Sequence, residues 1–150
     1  MNSDFKDLLR IFAAHDVEYL IVGAYAVMHY TQPRYTKDID LWIKPSKANA
    51  SRVARAFYEF GLPLVEVTQE DFENEGLQYV VGAPPCQIDF LTSLPGFADF
   101  DSARKSSEVI TVEDTPIHYL GKSDLIVAKQ TAGRPQDLAD LDELRRAKAP

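Results

Sequence analysis

Three aspartates embedded in apolar sequence are the residues of this chain best suited to chemistry. Asp38 and Asp40 are separated only by Ile39, and Asp89 lies much later between two apolar residues. Because side chains alternate between the two faces of a strand, Asp38 and Asp40 point the same way if this segment is a β-strand. Two carboxylates on one face repel each other, so we expect a cation between them. Carboxylate oxygens suit Mg²⁺ that carries phosphates, which indicates phosphoryl or nucleotidyl chemistry.

The simplest alternative is an acidic pair at the solvent-facing edge of a strand. Aspartate is a poor strand former, so a pair followed directly by Leu41 and Trp42 favours a functional interpretation. A calcium loop is excluded because the sequence after Asp40 lacks further acidic ligands, a turn glycine and a distal glutamate. If the strand of Asp89 neighbours that of Asp38 and Asp40, three carboxylates converge. Two metals about 4 Å apart could then hold the attacking and leaving oxygens of an in-line displacement.

A glycine at the end of an apolar run precedes the aspartate pair. Gly23 follows a predicted strand at 19–22 and comes before a predicted short helix at 24–30. Glycine lets the backbone approach a ligand closely, and a helix N-terminus offers N–H groups to phosphate. Glycines also end strands for steric reasons alone. Gly23 therefore indicates a phosphate site only together with the aspartates downstream.

The bulk properties predict one globular domain over residues 1–150, with a core at 18–92 and a C-terminal hairpin and helices at 107–147. The chain is 45% hydrophobic and 26% charged, and its single cysteine, Cys86, excludes a disulfide framework and a thiolate zinc cluster. The net charge of −7 argues against a general affinity for nucleic acid backbones, although a local basic groove stays open. The N-terminus lacks the features of a signal peptide and no segment is long enough to span a bilayer. We therefore expect a cytoplasmic protein that does not bind membranes.

The elements that must position these residues follow from hydrophobic periodicity. Helical spacing predicts helices at 3–15 and 46–60 and two C-terminal helical pieces separated by a break at 133–135, in addition to the short helix at 24–30. Apolar runs predict strands at 19–22, 38–43, 77–81 and 87–92, a short strand or extended segment around Val65 and Val67, and a hairpin formed by 109–112 and 117–120. Strands and helices mixed without regular alternation predict an α+β domain, with helices packed on a single mixed β-sheet and a helical C-terminal segment.

The order of these motifs resembles the nucleotidyltransferase superfamily that includes the DNA polymerase β-like enzymes. In that pattern a hydrophobic residue and Gly-Gly or Gly-Ser precede a metal-binding Asp-x-Asp, and a third carboxylate follows on another strand. Val22-Gly23-Ala24, Asp38-Ile39-Asp40 and Ile88-Asp89-Phe90 match this order. The tail, with Lys129 followed by Asp137 and Asp140, is similar to that of small bacterial nucleotidyltransferases related to abortive-infection and toxin–antitoxin systems. The resemblance spans residues 18–144 and implies a sheet of the nucleotidyltransferase type.

The resemblance implies an enzyme that moves a nucleoside monophosphate from a nucleoside triphosphate, such as ATP, to an acceptor hydroxyl and releases pyrophosphate. Asp38 and Asp40 would hold Mg²⁺, or Mn²⁺ in its place, on the triphosphate. Asp89 would complete a second metal site and help to deprotonate the acceptor.

The resemblance also assigns the phosphate-binding residues. Gly23 and Ala24 would cradle the phosphates with backbone N–H groups, and Lys129 would neutralise their charge. Asp137 would either orient that lysine or join the active-site network. Ala24 stands where the family has a second glycine or a serine. Arg34, Lys37 or Lys129 would therefore hold part of the triphosphate.

The acceptor and the partners stay open at this level. An RNA 3′ end such as that of tRNA, a protein side chain or a small molecule would each supply a suitable hydroxyl. A second function is a catalytically weak nucleotide-binding module paired with a cognate toxin or antitoxin, which Ala24 favours and the three aspartates disfavour. A nucleotide-sugar transferase also uses Asp-x-Asp with a metal, but the short chain and the upstream Gly23 turn disfavour it.

Overall fold

The computed structural model describes residues 1–36 and 38–147, and over these ranges the protein is an α+β structure with one mixed sheet. The helices are α1 (Ser3–Ala14), α2 (Gly23–Tyr30), α3 (Lys47–Phe60), α4 (Phe100–Lys105), α5 (Lys122–Ala132) and α6 (Pro135–Arg146). The strands are β1 (Tyr19–Val22), β2 (Asp38–Ile43), β3 (Gln78–Val81), β4 (Gln87–Leu91), β5 (Glu108–Val112) and β6 (Thr115–Tyr119). The predicted fold class and single mixed sheet are confirmed.

The sheet has the order β3-β4-β2-β1-β6-β5, which places the fully apolar strand β1 next to β2 at its centre. All four residues of β1 are buried, as expected of a central strand covered on both faces. β1 pairs antiparallel with β2 and parallel with β6, whereas β2 pairs parallel with β4. The outer strands β3 and β5 complete antiparallel pairs with β4 and β6. The two parallel pairings, β1 with β6 and β2 with β4, therefore bring together strands that are distant in sequence.

Local capping signals explain where the two amphipathic helices begin and end. Asn2, rather than Ser3, caps α1, because the Asn2 side chain accepts a hydrogen bond from the Phe5 N–H at 2.9 Å. Ser46 caps α3 through a 3.1 Å bond from the Asn49 N–H, and Gly61 ends that helix with a φ of 87°. The predicted bounds of the helix at 46–60 are thus confirmed within one residue, since α3 spans Lys47–Phe60.

A buried amide ties α3 to the centre of the sheet. Asn49 is fully buried, and its Oδ1 accepts a hydrogen bond from the Glu18 N–H at 2.8 Å. Its Nδ2 donates to the carbonyl oxygens of Glu18 at 3.0 Å and of Lys44 at 2.9 Å. Since Glu18 precedes β1 and Lys44 follows β2, this side chain fixes the register of the two strands that lead to Gly23 and Asp40.

The structure differs from the sequence-based expectations at two places in the middle of the chain. Val65 and Val67 belong to no strand; the segment is irregular and leads into a 3₁₀ turn at Glu70–Glu73. Val67 is largely buried, whereas Val65 is 80% exposed. The two valines therefore do not form one apolar face of a strand, and only Val67 packs into the core. A second difference is α4, a six-residue helix that was not predicted; Asp99 caps it, and the Asp99 side chain accepts a hydrogen bond from the Ser102 N–H at 2.8 Å.

Over residues 1–36 and 38–147, no helix has the combination of length and apolar character needed to cross a membrane.

Candidate functional site

The parallel pairing of β2 with β4 sets two aspartates side by side. In this register Asp40 faces Asp89, and Asp38 faces Gln87. Asp38, Asp40 and Asp89 are all partly buried, whereas the alternate residues Ile39 and Ile88 are buried in the core. The alternation of side chains therefore presents the three carboxylates on one face of two neighbouring strands.

Gly23 brings the backbone directly against the carboxylate of Asp40. Val22 pairs with Asp40 in the antiparallel β1–β2 ladder, and the chain turns into α2 at Gly23 with a φ of 68°. A Cβ placed on Gly23 would clash with Asp40 Oδ2 and lie 2.9 Å from Asp40 Cγ. Both the left-handed backbone and this approach require glycine. The first turn of α2, where Ala24 lies, has no side-chain cap and begins beside this carboxylate.

The electrostatics at Asp40 favour a cation. Burial raises the pKa of the Asp40 carboxyl to about 7, and hydrogen bonding to Asp89 with repulsion from Asp89 and Asp38 adds to the rise. The ammonium of Lys129 is near enough to offset part of it. Asp89 accepts a hydrogen bond at Oδ1 from Gln87 Nε2 at 3.0 Å, which orients its carboxylate along the strand.

The described residues do not assemble a complete metal cage. Within residues 1–36 and 38–147 there is no group of three or more His, Cys, Asp or Glu side chains arranged to hold a metal ion. Mg²⁺ commonly takes only one or two carboxylates from a protein and completes its shell with waters and substrate phosphates. The donor set of Asp40, Asp89 and neighbouring Asp38 fits that mode of binding in chemistry, because every ligand is a hard oxygen.

A second group of charged residues joins α5, α6 and the loop before β2. We refer to Arg34, Lys129, Arg134, Asp137 and Asp140 as the charged cluster. Lys129 is 9% exposed, and its ammonium lies 3.2 Å from Asp137 Oδ1 and 3.0 Å from Asp140 Oδ2. Asp137 and Asp140 are themselves buried, so their carboxylates depend on these partners.

The two aspartates of the charged cluster have further donors. Arg134 donates to Asp137 Oδ2 from its backbone N–H at 3.1 Å and from Nε at 2.7 Å, and these bonds, with those from Lys129, lower the pKa of Asp137 to about 2. Burial raises the pKa of Asp140, but hydrogen bonds from Arg34, Lys129 and Gln136 outweigh it and leave this pKa below its ordinary value. Arg34 holds Asp140 with two bonds, at 2.6 Å and 3.4 Å. The cluster is therefore ionised and internally paired.

The residues predicted from the sequence fall into two neighbouring groups. Asp38, Asp40, Asp89 and Gly23 meet at the sheet, with Ala24 in the adjoining first turn of α2. Lys129, Arg34 and Asp137 belong instead to the charged cluster, and Lys37 lies outside the described residues.

Asp140 and Arg134 were not among the predicted site residues. The signal for Asp140 was its spacing from Asp137, because residues three apart share a helix face. Arg134 offered no comparable signal, since its contact with Asp137 depends on the turn that starts α6.

Comparison with models of known protein families finds no match to this chain, and no curated protein matches it.

Proposed function

We propose that this protein is a Mg²⁺-dependent nucleotidyltransferase whose sheet is of the nucleotidyltransferase type. The observation that carries the proposal is the in-register neighbourhood of Asp40 and Asp89 on parallel strands, with the Gly23 backbone packed against Asp40. Carboxylates that converge from two strands beside a glycine turn and a helix N-terminus suit a metal-bound triphosphate. The arrangement agrees with the superfamily that the motif order resembles.

Asp38 and Asp40 would hold the metal on the triphosphate, and Asp89 would complete the site with the substrate. Bound Mg²⁺ or Mn²⁺ would supply charge neutralisation at the phosphate oxygens. Asp40 is partly buried and lies close to Asp89 and Asp38. Binding of a cation there is favourable, because the cation removes the repulsion among the three carboxylates.

The chain's own residues would then act on the acceptor and on the phosphates. Asp89, held by Gln87, accepts the proton of the acceptor hydroxyl. The hydroxyl oxygen forms a bond to the α-phosphorus while the bond from that phosphorus to the β-phosphate oxygen breaks, and pyrophosphate leaves. The N–H groups at Gly23 and Ala24 orient the departing phosphates, and the N-terminus of α2 stabilises their negative charge.

Transfer of label tests this proposal. The protein is incubated with each α-labelled nucleoside triphosphate and with RNA or protein acceptors, with and without Mg²⁺. We expect metal-dependent transfer that falls about 100-fold or more in Asp40→Asn, because this change keeps the side-chain shape and removes the charge that binds the metal. Asp142→Asn is the matched control, since the Asp142 side chain is 69% exposed on α6. Equal transfer by the wild type and Asp40→Asn would refute the assignment.

A catalytically weak regulatory module is the second candidate, with a cognate toxin or antitoxin as its partner. The observation in its favour is that the Lys129 ammonium is already paired with two buried carboxylates, which leaves it less able to bind phosphate. Together with Ala24, this predicts weaker retention of the triphosphate. Nucleotide binding by the wild type without transfer to any acceptor would favour this candidate over the enzyme.

A further inference from the structure

An aromatic cavity lies between α2, the loop before β2 and the end of β6. Its volume is about 410 Å³, within the range of about 300–1,000 Å³ that is typical of small-molecule sites. The side chains that line it are chiefly aromatic rings and thioethers, with one guanidinium: Tyr25, Met28, His29, Arg34, Tyr35 and Tyr119. Among the described residues that line the cavity, none carries a carboxylate. Flat π faces and thioethers suit an aromatic ring as the ligand.

The walls of this aromatic cavity are held in place before any ligand binds. His29 stacks on Tyr119, with ring centroids 4.1 Å apart and planes inclined by 8°, and its Nε2 lies 3.0 Å from Glu108 Oε1. The loop wall is anchored because Arg34 donates its backbone N–H to Met28 Sδ at 3.1 Å and its guanidinium to Asp140. A preorganised site loses less conformational freedom on binding, so these contacts favour ligand affinity.

Two of the three segments that form the carboxylate site, the Gly23 turn and the loop that enters β2, also border the aromatic cavity. Tyr25 follows Gly23 and Ala24 in the first turn of α2. Thr36, another lining residue, donates its hydroxyl to the Asp38 carbonyl oxygen at 3.3 Å. The eight residues of α2 span only about 12 Å, at 1.5 Å per residue. A nucleotide whose phosphates lie at Gly23 can therefore extend along α2 toward the cavity.

We propose that the aromatic cavity binds the nucleobase of a nucleotide, by stacking against Tyr35 and the His29–Tyr119 pair. This inference rests on the proposed function for the choice of nucleotides as ligands. The base could belong to the nucleoside triphosphate or to the 3′ end of an acceptor RNA, and the experiment separates these two sources. Tyr35 is the exposed ring of the lining, at 77%, and is thus free to cover an incoming base.

Methionine methyl NMR observes this cavity directly, because the chain has two methionines and both Met1 and Met28 line it. The full-length protein carries ¹³C-methyl methionine, and Met28→Leu assigns the signals. Each nucleoside triphosphate, a short RNA with a free 3′ hydroxyl and inorganic tripolyphosphate are added in turn with EDTA present. We expect ring-current shifts of the Met28 methyl with nucleotide or RNA and none with tripolyphosphate. Absence of a shift with all nucleotides and RNA at millimolar concentration would overturn the inference.

Tyr35→Ala gives a quantitative test with a matched control. Stacking on an aromatic side chain is worth about 1–3 kcal/mol per base, so we expect the base-bearing ligand to bind about tenfold more weakly or worse. Tyr35→Phe should bind as the wild type does. Tyr58→Ala should also be unchanged, because Tyr58 is 87% exposed on α3 and is not part of the cavity lining. Equal affinity of the wild type and Tyr35→Ala would refute the stacking role.

The outcomes distinguish the sources and the two proposals. Weakening for triphosphates alone assigns the cavity to the donor base, and weakening for RNA alone assigns it to the acceptor. Binding that depends on Tyr35 in a protein that transfers no label supports the cavity and contradicts the enzyme. Transfer that depends on Asp40 without any effect of Tyr35 or shift of Met28 supports the enzyme and contradicts the cavity.

Discussion

At the scale of single residues, Gly23 and Asp40 form one unit rather than two independent motif positions. Gly23 has a positive φ, which residues with a side chain rarely adopt. The Asp40 carboxylate occupies the position that a Cβ atom of residue 23 would take. The same contact sets the distance between the helix N-terminus and the carboxylates. A ligand that contacts both the N-terminus of α2 and the Asp40 carboxylate therefore binds between groups whose separation is set by the backbone turn at Gly23.

Gly23→Ala tests this contact, with Gly61→Ala as its control. Gly61 also has a positive φ, of 87°, but no atom lies within 4 Å of its added Cβ, so it isolates the backbone cost of about 1 kcal/mol. We expect Gly23→Ala to lower the free energy of unfolding by about 2–4 kcal/mol, because displacement of the Asp40 carboxylate adds to that cost. Chemical denaturation measures both variants.

Combining Gly23→Ala with Asp40→Ala removes the clashing Cγ and carboxylate oxygens. In the Asp40→Ala background, Gly23→Ala should then lower the free energy of unfolding by about as much as Gly61→Ala does. A double-mutant cycle reports the difference as the coupling energy between Gly23 and Asp40. Equal costs at Gly23 and Gly61 in the wild-type background would show that the carboxylate moves aside freely.

At the scale of elements, the charged cluster joins the two consecutive C-terminal helices to a loop that lies far earlier in the chain, with Arg34 106 positions before Asp140. Lys129 comes from α5, Asp137 and Asp140 from α6, and Arg34 from the loop before β2. Since that loop leads into the strand of Asp38 and Asp40, the C-terminal helices hold the segment that enters the carboxylate site. Their role is thus to position the site, and they pack against each other and against α2.

Asp140→Ala should destabilise the protein strongly. The change leaves the buried Lys129 ammonium with Asp137 alone and releases Arg34, which for a buried ion pair costs about 3–5 kcal/mol. Asp142→Ala, two residues further along α6, should cost less than about 1 kcal/mol, because its ion pair with Arg146 is exposed. Thermal and urea unfolding of the two variants give the comparison, and similar losses for both would contradict the structural role of the cluster.

Elements with strong local signals were predictable, and those that depend on distant contacts were not. The bounds of α3 follow from Ser46 and Gly61, and the alternation in β2 follows from its sequence. The pairing of β2 with β4 has no such local signal, because strand order depends on packing across the whole sheet. The difference at Val65 and the missed α4 have one cause: both segments are short, and a few apolar contacts decide their conformation. Asp140 could have been added from its helical spacing to Asp137, whereas the contact between Arg134 and Asp137 becomes visible only with the turn that starts α6.

At the scale of the whole molecule, acid stability depends on a histidine of the sheet. His118 lies in β6 with its ring edge-on to Tyr19, at a centroid distance of 5.4 Å. Within the described part of the chain its buried Nδ1 has no hydrogen-bond partner. Burial lowers the pKa of His118 to about 4, and the positive charge of Arg104 contributes. The folded protein therefore favours the neutral imidazole.

Titration of His118 should by itself lower the free energy of unfolding as the pH falls from about 6.5 to about 4, whereas titration of Asp40, whose pKa is raised to about 7, acts in the opposite direction over the same range. Over that range the unfolded chain takes up a proton at His118 and the folded chain does not, so protonation favours unfolding. We expect this residue to contribute a loss of about 1–2 kcal/mol, reduced from the full linkage value because the ring is only partly buried. Urea titrations at several pH values should show that the free energy of unfolding of the wild type falls by this amount relative to that of His118→Gln, because Asp40 titrates in both proteins. Parallel profiles for the two proteins would contradict the assignment to His118.

The parallel pairing of β2 with β4 also determines at what stage of protein synthesis the carboxylate site can form. Asp40 leaves the ribosome long before Asp89, with α3 and β3 in between, and parallel strands cannot pair through a tight hairpin. A nascent chain that ends before β4 thus has only one side of the site. Because such non-local pairing forms late and slowly, the metal and nucleotide that we propose as ligands would be captured by a nearly finished sheet rather than by an early folding intermediate.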